Sequence, residues 1–168
     1  MAFSPTGESA RFAPSDCADR HWMRRALALA EEAGQNDEVP VGAVVVGPAG
    51  VLGQAANEIE RSGDPTAHAE MLAMRQAVET AGDKRLLQTT MYVTLEPCAM
   101  CAGAIVLARI PRIVFAAFDP KGGACGTLRN VVQDERLNHR CAVQGGLLES
   151  ESAELLRAFF ARLRQKKK

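Results

Sequence analysis

The stretch MYVTLEPCAMCAGAIVLARIPRIVFAAF, residues 91–118, decides how this chain reads. MYVTL at 91–95 is a short run of the residue types that favour a pleated, buried strand. Pro97 to Arg109 is apolar and helical in pattern, and Pro111 stops it because proline brings no amide proton to a helix. RIVFAAF at 112–118 predicts a second strand. Strand, helix and strand in succession lay a helix on the face of a sheet, the repeating unit of α/β architecture.

Working outward, Met23, Ala26, Leu27 and Ala30 recur at i, i+3, i+4 and i+7 and predict a helix from Asp19, with Gly34 as its stop. VGAVVV at 41–46 and the run from Val51 to Ile59 flank a Gly-Pro-Ala-Gly turn and predict a hairpin. Asp64-Pro65 reads as an N-cap followed by proline at the first helical position. Met71, Met74, Val78 and Ala81 mark the buried face of that helix, and Gly82 ends it. A glycine-rich KGGACG follows the last long strand at 121–126, Ala142 and Val143 suggest one more short strand, and a helix from about Glu149 to Arg164 closes the chain. The expected architecture is an α/β sandwich with a mixed sheet. Residues 1–18 lack periodicity and read as a flexible leader, leaving 19–168 as a single domain.

The chain has 168 residues, of which 47% are hydrophobic and 24% charged, enough for one sizeable core. Twenty basic residues cancel twenty acidic ones, so net charge announces no nucleic-acid or membrane partner. No apolar run approaches the roughly 18 residues that cross a bilayer. MAFSPTGESARFAPS lacks the basic and apolar regions of a secretory signal. Five cysteines, an odd number containing one C-x-x-C, fit a reducing cytoplasm better than a disulfide framework.

The chemistry concentrates in H-A-E at 68–70 and P-C-A-M-C at 97–101. Cys98 and Cys101 are three apart, so a helix puts both sulfurs on one face, and the first turn after Pro97 favours thiolates. With His68 as third ligand, the set leaves a fourth zinc position for water, the arrangement of a catalytic and not a structural site. Glu70 is placed to work on that water. On a regular helix residues i and i+2 diverge by roughly 200°, so His68 and Glu70 can share a space only if His68 stands at the helix margin. Each piece has a blander reading. A lone C-x-x-C can be a redox pair or half of a structural zinc site, and a first-turn glutamate is favoured by the helix dipole alone. A structural site lacks its fourth ligand here, because Cys17, Cys125 and Cys141 form no second C-x-x-C.

H-x-E with P-C-x-x-C resembles the zinc-dependent nucleobase deaminases. VPVGAV at 39–44, Asn57, DPTAHAE at 64–70, YVTLEPCAMCAGA at 92–104, RIPRIVF at 109–115, Asp119-Pro-Lys121, LNHR at 137–140 and Phe159-Phe160 resemble, within them, the bacterial tRNA-specific adenosine deaminases. The resemblance covers roughly residues 20–165. It implies a cytidine-deaminase-like, three-layer α/β/α fold with a roughly five-stranded mixed sheet. It implies one Zn²⁺ per subunit on His68, Cys98 and Cys101, attack of zinc-bound hydroxide on C6 of a flipped adenine, and Glu70 as proton shuttle. The implied substrate is the wobble adenosine of an arginine tRNA, and the implied assembly is a homodimer. By the same carry-over Asn57 contacts the nucleoside, Asp119 and Lys121 contact loop nucleotides, and Glu96 supports the site. Cys125 and Ala116 depart from the family's usual small residue and glycine.

Arg157, Arg162, Arg164 and Lys166 to Lys168 close the chain with no acid after Glu154. Such a tail suits RNA phosphates, and equally suits a solvated helix end. Phe159 and Phe160 are adjacent, so one can pack inward while Phe160 faces a base or a partner. Two other functions compete: a deaminase of a free base or nucleoside, guanine foremost, and a zinc-holding subunit that binds RNA without reacting. The Asp119-x-Lys121 loop and basic C-terminus weigh against the first, and Glu70 against the second.

Overall fold

The computed structural model describes residues 16–166. The leader expected over 1–18 lies outside the described residues except for its last three, which form the first turn of α1, Asp16–Gln35. The hairpin is β1, Gly42–Gly47, and β2, Gly50–Ala56. A four-residue helix α2, Ile59–Ser62, leads to α3, Ala69–Ala81. The deciding stretch forms β3, Thr90–Leu95, α4, Ala99–Leu107, and β4, Arg112–Ala117. Short β5, Ala142–Gly145, and α5, Glu149–Lys166, complete the chain.

The five strands form one sheet in the order β2-β1-β3-β4-β5. β1 is antiparallel to both β2 and β3, whereas β3, β4 and β5 run parallel. Parallel strands need helical crossovers, so both sheet faces are covered. Strand alternation divides the core accordingly. Val45, Met91, Val93, Ile113 and Phe115 face α3 and α4 with Ala73, Ala77 and Ile105. Val44, Tyr92, Val114 and Ala116 face the other way, against Met23 and Ala26 of α1.

Two glycines set how closely a helix approaches each face. A Cβ on Gly42 would lie 2.1 Å from the Ala26 carbonyl oxygen of α1, and one on Gly53 would lie 2.2 Å from that of Ala73 in α3. Only a bare backbone allows these contacts.

On the α1 face a buried polar network ties four elements together. Asp19, 2% exposed, accepts both guanidinium arms of Arg112 at 2.8 Å and the Tyr92 hydroxyl at 2.7 Å. Arg112 also donates to Gln144 of β5. α1 is thereby fastened to β3 and to the start of β4, and through Arg112 to β5.

α1 starts at Asp16 instead of Asp19, α4 spans Ala99–Leu107 instead of 97–109, and β4 ends at Ala117 instead of Phe118; three further boundaries also differ from expectation. The hairpin's second strand stops at Ala56, with one more backbone bond from the Asn57 amide to the Val41 carbonyl, and the expected end at Ile59 is instead the start of α2. α1 runs past Gly34 to Gln35, and the stop is Asp37, which adopts a left-handed φ of 60°. Asp64 does not cap α3. Its carboxylate accepts the amide and hydroxyl of Thr66, each at 2.7 Å, in a local turn, and the helix begins only at Ala69 with His68 as N-cap.

Candidate active site

His68 and Cys98 occupy equivalent places: each is the N-cap of a helix, with extended backbone at φ −71°, ψ 148° and φ −73°, ψ 175°. Neither side chain caps its own helix, so both project from the helix mouths. Cys101 sits one turn into α4 and is fully buried. Two helix N-termini thus converge on one imidazole and two cysteine sulfurs, and their dipoles favour an anionic Cys98, whereas hydrogen bonding to Cys98 and burial push the Cys101 thiol up.

The geometry fits a metal. His68 Nδ1 is 3.8 Å from Cys98 Sγ and 3.6 Å from Cys101 Sγ, and the three donor atoms lie within 4.8 Å of one another. Tetrahedral zinc with ordinary Zn–S and Zn–N bonds separates N and S ligands by about 3.6 Å. Cys101 and the His68 ring, both bonded to Cys98, hold its thiol well below the usual thiol range.

Because His68 is the cap, it leaves the chain outside the helix, and its angular conflict with Glu70 disappears. Glu70 lies in the first turn of α3, only 4% exposed. Burial pushes its carboxyl above the ordinary carboxylate range, against the opposing pull of a backbone hydrogen bond and of His68.

The neighbouring segments lock onto these ligands. The Glu58 amide donates to the Ala67 carbonyl at 3.0 Å, so the turn carrying buried Asn57 is stitched to the residue before His68. Glu38, which no sequence signal singles out, is buried and accepts the amides of Glu60 and Arg61. Asp119 and exposed Lys121 lie in the loop after β4, where the Lys121 amide donates to Asp119 Oδ1 at 2.9 Å. Burial acts to raise the Glu96 carboxyl, but the Thr127 side chain and the amides of Thr127, Asp119 and Cys125 outweigh it, and the group titrates below its ordinary range.

The C-terminal residues stand apart from this cluster. Phe159 is buried and Phe160 is 42% exposed, while Arg162 donates to the Gly34 carbonyl and, with Lys166, pairs with Asp37. Arg164 is exposed. Among the described residues no helix is long and apolar enough to cross a membrane.

The MafB19-like deaminase family matches residues 17–164 of the chain. The tRNA-specific adenosine deaminase of Bacillus subtilis (strain 168) is 49% identical over 150 residues, covering 89% of this chain and 93% of that protein. The chain belongs to the tRNA-specific adenosine deaminase family. Another relative of this deaminase, the tRNA-specific adenosine deaminase of Haemophilus influenzae, is 45% identical over 89% of this chain and 87% of its own length. A solved structure from a study of A-to-I editing by tRNA:A34 deaminases at the wobble position superposes with a TM-score of 0.78 at 46% identity, covering 81% of this chain and 99% of that one. Guanine deaminase from Nitrosomonas europaea, at 22% identity and a TM-score of 0.75 over 84% of each chain, shares the fold. The deaminase therefore has the mixed five-stranded α/β fold that the resemblance implied.

Proposed function

We propose that this deaminase hydrolyses adenosine to inosine at the wobble position of a tRNA anticodon, with an arginine tRNA as the expected species. The convergence of His68, Cys98 and Cys101 beside buried Glu70 carries the reading. The 49% identity to a tRNA-specific adenosine deaminase points it towards tRNA. The donor set matches zinc, which when bound supplies a Lewis acid that makes water nucleophilic near neutral pH. Glu70 takes a proton from the attacking water and delivers it to N1 of the adenine, then takes the remaining proton of the new C6 hydroxyl and delivers it to the C6 amino group, which leaves as ammonia. Adenosine and water give inosine and ammonia.

Asn57 contacts the flipped nucleoside, and Asp119 and Lys121 contact neighbouring nucleotides. Phe160, Arg162 and Arg164 extend the RNA path, with Arg162 exchanging Asp37 for a phosphate. The homodimer implied by the resemblance has an apolar face at hand, where Leu107, 79% exposed, lies beside Met71, Met74 and Val78 between α3 and α4. Five free cysteines suit the cytoplasm.

The deciding assay offers a short RNA hairpin with an A-C-G anticodon, and in parallel free guanine and free adenosine, to protein whose metal is counted in the same preparation. Inosine in the hairpin alone, with about one zinc per chain, is the expected result. Turnover of a free base or nucleoside with the hairpin untouched overturns the substrate. Zinc-free protein that still turns over overturns the mechanism.

Deleting Arg164 to Lys168 is expected to weaken hairpin binding and to flatten its salt dependence, because phosphate contacts release counterions. An unchanged salt slope would make these residues a solvated helix end.

A further inference from the structure

We propose that Glu96 is a positioning residue whose carboxylate holds the 119–127 loop against the Pro97–Cys98 turn, so that the loop and a metal-ligand residue keep one fixed relation. Glu96 follows β3 directly and its side chain is 2% exposed. Oε2 accepts the Asp119 amide at 3.1 Å, and Oε1 accepts those of Cys125 at 3.1 Å and Thr127 at 3.0 Å. One carboxylate thus gathers both ends of the loop.

The loop is also laid on the ligand turn by its backbone. Cys98 and Gly123 form an antiparallel bridge, and the Ala124 amide donates to the Pro97 carbonyl at 2.8 Å. Gly123 makes room for the anchor, since a Cβ there would lie 2.3 Å from Glu96 Oε2 and 2.6 Å from the Asp119 carbonyl oxygen. A carboxylate suits three converging amides because both its oxygens accept and neither donates. Hydrogen bonds to an ionised acceptor are also roughly twice as strong as neutral ones. A carboxamide of the same shape must turn its NH₂ towards at least one of those amides. The anchored loop presents Asp119 and Lys121, so errors in its placement fall on substrate binding before they fall on the chemical step.

That last consequence rests on the proposed function, whereas the anchoring does not. Two variants test it: Glu96→Gln, which removes one acceptor, and Gly123→Ala, which crowds the carboxylate from the loop side with Glu96 intact. In each, amide hydrogen exchange at Asp119, Cys125 or Thr127 is expected to speed up about tenfold or more, as for the loss of one charge-assisted bond. Zinc content should stay near one per chain. KM for the hairpin should rise about tenfold while kcat changes less than about threefold, the signature of lost uniform binding. Loop amides as protected as in the parent protein overturn the anchor. KM unchanged with kcat reduced, or kcat falling in step with lost zinc, overturns the positioning role. Should Glu96→Gln fail to fold, Gly123→Ala decides by the same readings. A parent protein inactive on the hairpin would defeat the tRNA reading, while hydrogen exchange would still judge the anchor.

Discussion

Glu70→Ala is expected to keep its fold and about one zinc per chain, yet to deaminate the hairpin roughly 10²- to 10⁴-fold more slowly, or worse. His68, Cys98 and Cys101, the three side chains whose geometry fits a metal, all remain in the variant, and Glu70 is not one of them. What leaves is an ionisable side chain, on a residue 4% exposed, beside that cluster in the first turn of α3. Proton transfer at the reacting atoms then falls to water, which is neither positioned nor matched in pKa. Glu70→Gln separates shape from proton transfer: it fills the same volume and should be about as slow as the alanine variant. Near-parental turnover in either would mean that another group moves the proton.

Asp19→Ala is expected to destabilise the protein by about 3–5 kcal/mol, the cost of removing one partner from a buried ion pair. Asp19 side-chain exposure is 3% and that of Arg112 is 13%, so solvent compensates little. The loss strands the guanidinium and removes the acceptor of the buried Tyr92 hydroxyl. For a domain of this size each kcal/mol moves Tm by roughly 2–4 °C, so thermal unfolding should shift by about 6–20 °C. Asp19→Asn with Arg112→Met should recover part of the loss, since no buried charge is then left alone. A shift under about 2 °C for Asp19→Ala would show that water reaches the site and that the network contributes little.

Much of this was legible in the order of residues because period and punctuation agree in the elements that matter. The strand–helix–strand of 91–118 carries strong apolar periodicity and a proline stop, and β3, α4 and β4 lie within it but for Thr90, the first residue of β3. Gly82 ends α3 in the left-handed conformation that glycine favours. The start of α3 was not legible, because aspartate before proline serves a turn as readily as a cap, and Thr66 supplied the donors that decided it. The metal cluster was readable as spacing, but its geometry turned on two N-cap positions that spacing does not mark. The Asp19–Arg112 pair was out of reach: its members are 93 residues apart, and either reads alone as a surface charge. Glu96 stands next to a recognisable motif, yet what it grips is a set of backbone amides up to 31 residues away, which have no side-chain signature.

The direction of α1 has a practical outcome for anyone preparing the protein. Its first turns lie at the entry end of β4, through Asp19, whereas its last turn lies where the parallel strands exit towards His68 and Cys98. Twenty helical residues put about 30 Å between those two ends. α5 finishes at the second of them, fastened to Asp37. A fluorophore attached at Lys166 therefore stands at the pole that the proposed RNA path reaches. One attached at exposed Cys17, in the first turn of α1, stands at the other pole.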